Sequence, residues 1–139
     1  MLTVYLPTPP SVNHCYTTLR NGRRVLKAPG REFLDAVNER CIWAAATQDW
    51  ADDGGKMALW LTICWPTRQR RDLDNAAKLL QDGISRALGF DDSQIDLLIV
   101  ERGPVTKDRP HVLARLAPAG YLAVTTLDEV SILLGEGDA

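Results

Sequence analysis

The stretch Arg70-Arg71-Asp72-Leu73-Asp74-Asn75-Ala76-Ala77-Lys78-Leu79-Leu80-Gln81-Asp82-Gly83-Ile84-Ser85-Arg86-Ala87-Leu88-Gly89 carries both the fold and the chemistry of this chain. Leu73, Ala76, Ala77, Leu80, Ile84, Ala87 and Leu88 recur at the spacing of one helical face, which predicts an amphipathic helix over about 73–88. Gly89 is a natural stop. Asp72 and Asp74 sit at its mouth. In an extended or turn segment, side chains two residues apart share a face. Both carboxylates can then address one cation where the helix dipole also favours a phosphate.

Working outward, Met57 to Trp65 reads as a well-buried strand stopped by Pro66. Downstream, Ile95 to Arg102 and His111 to Leu116 read as two more strands, joined through Gly103-Pro104 and Lys107-Asp108-Arg109. At the other end of the chain, Leu2 to Leu6 alternates and is β-rich, and Pro7, Pro9 and Pro10 end it. Residues 7–24 read as a long loop with a turn at Asn21-Gly22, and loops of this length are often functional. Pro29-Gly30 opens a helix over about 31–49, with Phe33, Val37, Cys41 and Ala44 to Ala45 on one face, and Asp52-Asp53-Gly54-Gly55 is a turn. The order strand, helix, strand, helix, strand, strand predicts an α+β fold: a small mixed sheet of about four strands with two main helices. Residues 1–118 form the expected domain and 119–139 a C-terminal extension, where Thr126 and Glu129 make a capping box for a short helix.

A chain of 139 residues suits a single domain with a real core. An apolar fraction of 45% and a charged fraction of 24% place it among soluble globular proteins rather than disordered or membrane ones. No apolar run reaches the ~18 residues of a membrane span, and the start lacks a signal-peptide pattern. The expected location is the cytoplasm. Three widely spaced cysteines, Cys15, Cys41 and Cys64, argue for buried thiols over a disulfide framework or a zinc site. The net charge of −2 does not by itself advertise a nucleic-acid binder. Its distribution does more: Arg20, Arg23, Arg24, Lys27 and Arg31 cluster early, and Arg68, Arg70 and Arg71 precede the acidic motif. The last stretch carries Asp128, Glu129, Glu136 and Asp138 with no Lys or Arg, lowering the total without touching the middle of the chain.

Hard divalent cations take oxygen ligands, and Mg²⁺ uses a few carboxylates while keeping waters and phosphate oxygens. Asp72 and Asp74 suit that pattern, and Asp91-Asp92, just past the helix, offers a third carboxylate if the chain folds back toward the helix start. Lys78 lies one turn beyond Asp74. The bland alternatives are an i,i+4 ladder Asp74–Lys78–Asp82, worth ~0.2–0.5 kcal/mol per pair, and simple helix capping by an aspartate. Two carboxylates flanked by Arg-Arg and followed by Asn75 exceed what a cap requires. An EF-hand is excluded, because a loop starting at Asp72 would need Gly and Glu where Ala77 and Gly83 stand. The chemistry indicated is metal-assisted cleavage of a nucleic-acid backbone.

The same residues resemble the RusA family of Holliday junction resolvases of bacteria and lambdoid phages or prophages. The shared pattern runs through Leu6-Pro7, Pro9-Pro10-Ser11-x-Asn13 and Tyr16. Its centre is Arg70-Arg71-Asp72-x-Asp74-Asn75-x-x-Lys78, then Asp82, Gly89 and Asp91-Asp92-x-Gln94, and it closes at Pro104-Val105-Thr106-Lys107. The resemblance covers roughly residues 2–117; residues 119–139 have no counterpart in it. It implies a homodimeric, Mg²⁺-dependent endonuclease, with Mn²⁺ as a substitute, that nicks two opposed strands of a four-way junction, with no membrane and no small-molecule cofactor. Carried over by position, Asp72, Asp74 and Asp92 are the metal-binding catalytic carboxylates and Lys78 the catalytic lysine. Asn13, Arg20, Arg23, Arg24, Arg70, Arg71 and Lys107 are the expected DNA contacts. The rivals are a metal nuclease for other branched DNA, a catalytically silent DNA-structure-binding module, and a non-enzymatic protein with a solvated acidic loop.

Overall fold

The computed structural model describes residues 1–119. The expected extension and its Thr126–Glu129 capping box lie outside the described residues. Elements follow in the order β1 (Leu2–Leu6), α1 (Val12–Cys15), β2 (Tyr16–Thr18), β3 (Arg24–Leu26), α2 (Ala28–Thr47), β4 (Met57–Cys64), α3 (Leu73–Leu88), a 3₁₀ turn (Asp92–Gln94), β5 (Ile95–Arg102) and β6 (His111–Pro118). The fold is α+β, as the order of elements implied. A four-stranded mixed sheet has the order β1-β6-β4-β5, and β2 and β3 form a separate two-stranded sheet.

The long loop expected over 7–24 is instead partly ordered. A short helix, α1, leads into a β2–β3 hairpin whose turn is closed by Leu19 and Arg23 and by the Gly22 N–H donating to the Leu19 carbonyl. The expected turn at Asn21-Gly22 is its tip, where Gly22 takes φ +82° and the Arg23 N–H donates to Asn21 Oδ1. Three-residue strands carry too little periodicity to be read from sequence. Helix α2 begins at Ala28, three residues before the expected start, because Pro29 is tolerated inside a first helical turn, where its missing N–H costs nothing.

The core lies between one sheet face and the two main helices. Leu2, Val4 and Leu6 of β1 align with Leu116, Ala114 and Val112 of β6, and those with Leu59, Leu61 and Ile63 of β4. Against this face pack Phe33, Val37 and Cys41 of α2 and Ala76, Ala77, Leu80 and Ile84 of α3. Burying one such Leu or Ile is worth ~1.5–3 kcal/mol, so this apolar stripe fixes how α3 sits on the sheet. All three cysteines are buried and free. Burial pushes the Cys41 thiol up to about 12 and raises that of Cys15, since a thiolate in apolar surroundings loses its hydration. Of the tryptophans, Trp60 and Trp65 are buried and Trp50 packs at the core margin, whereas Trp43 on α2 stands 69% exposed.

The decisive topological feature is the unit β4–α3–β5. Its two strands are parallel, with Met57 opposite Ile95 and Ile63 opposite Arg102. Helix α3 starts beside the C-terminal ends of both strands and runs back along them to their N-terminal ends.

Candidate active site

The site is built at the mouth of α3. Asp72 is the helix N-cap: its backbone is extended, Oδ1 accepts the Asp74 N–H at 2.9 Å, and Oδ2 accepts Asn75 Nδ2 at 3.1 Å. Capping and metal binding are therefore compatible, since a carboxylate has about four acceptor positions and the cap uses two. Asp74, in the first turn, is exposed beside it. At the other end of the helix Gly89 adopts φ 75°, a left-handed cap suited to glycine, and its N–H donates to the Ser85 carbonyl.

The sequence-derived basic residues divide by location. Arg70 and Arg71 line a cavity of about 500 Å³ together with Asp72, Leu73, Asp74 and Arg102. A neighbouring pocket of about 260 Å³ adds Pro9, Pro10, Trp65, Gln69 and Asn75 to its walls. Lys78 lines a small cavity of about 140 Å³ with Tyr16, Arg24, Asn75 and Asp82, so the hairpin brings Arg24 to the polar face of α3. The Arg24 guanidinium lies 4.6 Å from the Tyr16 ring centroid. Arg20 and Arg23 are exposed at the hairpin turn, Asn13 is exposed on α1, where its carbonyl accepts Lys27 Nζ, and Lys107 is exposed in the β5–β6 connection.

Asp92 is elsewhere. The 3₁₀ turn that contains it sits at the N-terminal ends of β4 and β5, where Gln94 Nε2 donates to Asp52 Oδ1 and the Gly55 carbonyl, and Lys56 Nζ to the Ser93 carbonyl. Asp72 and Asp74 are at the C-terminal ends, where Arg102 donates to the Arg71 carbonyl. The 16 residues of α3 separate the two places, which at 1.5 Å per residue is about 24 Å. The expected return of Asp92 to the helix start therefore does not occur within the chain, because parallel β4 and β5 require α3 to carry the chain away from its own start. Among the described residues no three His, Cys, Asp or Glu side chains gather into a metal-binding group.

Asp91 and its neighbour also separate in role. Asp91 caps the 3₁₀ turn: its Oδ1 accepts the Ser93 N–H at 2.9 Å, and the Asp91 N–H donates to Gln94 Oε1. The Ser93 backbone N–H holds the Asp91 carboxyl below its ordinary range. Asp92 carries no such capping duty and is exposed.

Sequence reading missed Arg102 and Trp65. Arg102 ends β5 and reaches across to the loop leading into α3. Trp65 is 6% exposed, and both Arg71 and Arg102 place their guanidinium groups over its ring, at 5.4 and 5.1 Å from a ring centroid. Its Nε1 is buried without a hydrogen-bond partner among the described residues. The signal for Arg102 was present: a strand–helix–strand unit is normally parallel, which puts the end of the second strand beside the helix start.

A family model for endodeoxyribonuclease RusA matches residues 7–116. The chain belongs to the RusA family. It is 39% identical over 109 residues to the crossover junction endodeoxyribonuclease RusA of Escherichia coli (strain K12), an overlap of 76% of this chain and 85% of that one. The Shigella sonnei (strain Ss046) crossover junction endodeoxyribonuclease RusA matches to the same extent. That of Enterobacteria phage 82 is 39% identical over 108 residues, 75% of this chain and 84% of its own. The RusA match runs from just after β1 into β6 and so includes the acidic pair, Lys78, Asp92 and Arg102. No helix among the described residues is long and apolar enough to cross a membrane.

The residues at the α3 mouth suit a hard divalent ion. Two carboxylate groups with open coordination positions are the set that Mg²⁺ and Mn²⁺ favour, the remaining positions going to water and phosphate oxygens.

Proposed function

We propose that this protein is a Mg²⁺-dependent endonuclease that resolves four-way DNA junctions by paired symmetric nicks, acting as a homodimer in which Asp92 of the partner subunit completes each acidic pair. The observation that carries the reading is the exposed Asp72–Asp74 pair at the start of α3, ringed by Arg70, Arg71 and Arg102, in a chain of the RusA family.

The sheet supplies a geometry for the dimer. β5 is an edge strand, and Leu98 on it is 42% exposed. An unpaired edge is a template for another strand. Antiparallel pairing of β5 with its two-fold mate sets the N-terminal end of one copy beside the C-terminal end of the other. That lays the partner's Asp92 beside Asp72 and Asp74, about one strand length from its own pair. A two-fold dimer also matches the approximate two-fold symmetry of a four-way junction, so two nicks follow from two identical sites.

Each residue then has a task. Asp72 and Asp74 would hold the ion, and the Asp74 N–H donating to Asp72 Oδ1 fixes the Asp72 carboxylate against the first turn of α3. The metal, when bound, lowers the pKa of a water and offsets charge on the leaving 3′ oxygen. Lys78, one helical turn beyond Asp74, offsets charge on the pentacovalent phosphate. Arg24, carried to the same face by the hairpin, holds a flanking phosphate, and Arg20, Arg23, Arg70, Arg71, Asn13 and Lys107 extend the contact along the arms. The products carry 5′-phosphate and 3′-hydroxyl ends. Binding that rests on arginines weakens steeply with salt.

The test is cleavage of a synthetic four-way junction with a movable core, with and without Mg²⁺, against flap and linear competitors at raised salt. Paired nicks on the junction that stop on chelation are expected; equal cleavage of linear duplex would contradict the reading.

A further inference from the structure

We propose that Arg102 is a substrate-phosphate-binding residue of the site, held in a ready geometry by Trp65 and by the loop before α3. The proposal rests on the nuclease reading and adds a contact to it.

Three observations converge on Arg102. It lines the cavity that contains Asp72 and Asp74, although it comes from the end of β5 and not from the acidic segment. Its guanidinium lies over the Trp65 ring, 5.1 Å from a ring centroid, which restrains a side chain otherwise costly to order. Its Nη2 donates to the Arg71 carbonyl, the residue just before the Asp72 cap. A guanidinium has five N–H donors, and among the described residues this is the protein acceptor that Arg102 uses.

Arg71 spends its donors differently. Nη1 reaches the Thr67 carbonyl, Thr67 Oγ1 and the Gln69 carbonyl, each at 3.3 Å, and Nη2 reaches Gln69 Oε1 at 3.5 Å. Arg71 thus commits both its Nη atoms to its own loop, leaving its charge and Nε–H for DNA, while Arg102 keeps planar donors for a ligand in the cavity. The ligand that fits cationic, forked donors beside a carboxylate-held divalent ion is a phosphodiester.

The backbone beneath Arg102 is fixed. The Gly103 N–H donates to the Ile63 carbonyl and the Thr106 N–H to the Trp65 carbonyl. A Cβ at Gly103 would stand 2.5 Å from Cys64 Sγ and 2.9 Å from Thr62 Cγ2, so only glycine lets this strand end lie so close to β4. That close approach is what delivers Arg102 to the mouth of α3.

The experiment measures junction affinity without divalent metal between 50 and 200 mM salt for the parental protein, Arg102→Gln and Arg102→Lys, with thermal unfolding alongside. Arg102→Gln should weaken binding on all junction sequences alike and reduce the slope of log K against log salt by roughly 1 per bound protomer. Arg102→Lys should keep the slope and lose part of the affinity, since an ammonium keeps charge but not the planar fork. An unchanged slope in Arg102→Gln, with or without a lower unfolding temperature, would reduce Arg102 to a structural brace and overturn the proposal while parental junction nicking leaves the nuclease reading standing. A parental protein that neither binds nor nicks junctions would overturn both.

Discussion

At the scale of single residues, Asp72 is a helix cap with acceptor positions to spare. Asp72 terminates the loop and starts the helix, yet retains acceptor positions for a cation. Asp74 has the proposed ligand role without the capping one, which makes it the better variant for testing chemistry. Asp74→Asn should lower Mg²⁺-dependent nicking by about 10²-fold or more, on the scale seen when one charge-stabilising group is removed, while junction binding, measured by gel shift, is kept. Lys78→Ala should do likewise; nicking at the parental rate would return Lys78 to the role of a helix-surface ion-pair partner. Cys41 makes a separate prediction. Its thiol is raised from 9.0 to about 12 by burial. The unfolded chain therefore ionises first as pH rises, so the contribution of Cys41 to stability is complete below about pH 9 and is lost progressively from there toward pH 12. Denaturant unfolding in Cys41→Ala and parental protein at pH 7 and pH 10 checks the sign: the parental protein should lose more stability on going to the higher pH.

At the scale of elements, the long periodic segments were legible and the short ones were not. The α3 stripe from Leu73 to Leu88 predicted its helix to the residue, because the apolar spacing, the Asp72 cap and the Gly89 stop all agree. β4 and β5 were equally clear as apolar runs. The hairpin β2–β3 was hidden, since Tyr16–Thr18 and Arg24–Leu26 are short and half polar, and what stabilises them is contact: Arg24 over Tyr16 and the docking of both against α3. That Asp72 and Asp74 lie together at the mouth of α3 was readable, since they are neighbours in sequence, but the relation of Asp92 to them was not. That relation depends on strand direction. Parallel pairing, the usual outcome of a strand–helix–strand connection, was available from the element order and works against convergence within the chain. The same reasoning would have found Arg102. Because α3 both fills the core and aims the acidic pair, core damage should show as stability loss first. Leu80→Ala, at a position with 0% exposure, should cost ~2–5 kcal/mol in urea unfolding. Its nicking rate per folded molecule should stay near parental.

At the scale of the whole molecule, one chain places Asp72 and Asp74 at one end of a parallel strand pair and Asp92 at the other, with α3 lying between them. In the proposed dimer, a two-fold copy joined along β5 would turn these two partial sites into whole ones, and paired nicks would then come from the same symmetry that completes the chemistry. The exposed edge of β5 and the exposed Leu98 are consistent with this surface being covered in the working form. A charged residue at Leu98 should shift the protein toward monomer in analytical ultracentrifugation and remove nicking in proportion. The most direct measurement is subunit mixing. Asp74→Asn and Asp92→Asn proteins, each inactive alone, are unfolded together and refolded, and the mixture is assayed on a four-way junction. If Asp92 serves the partner's acidic pair, each heterodimer holds one doubly defective site and one intact site, and single-strand nicking returns. If heterodimers form and no nicking returns, both carboxylate groups belong to one chain's site and the account is wrong.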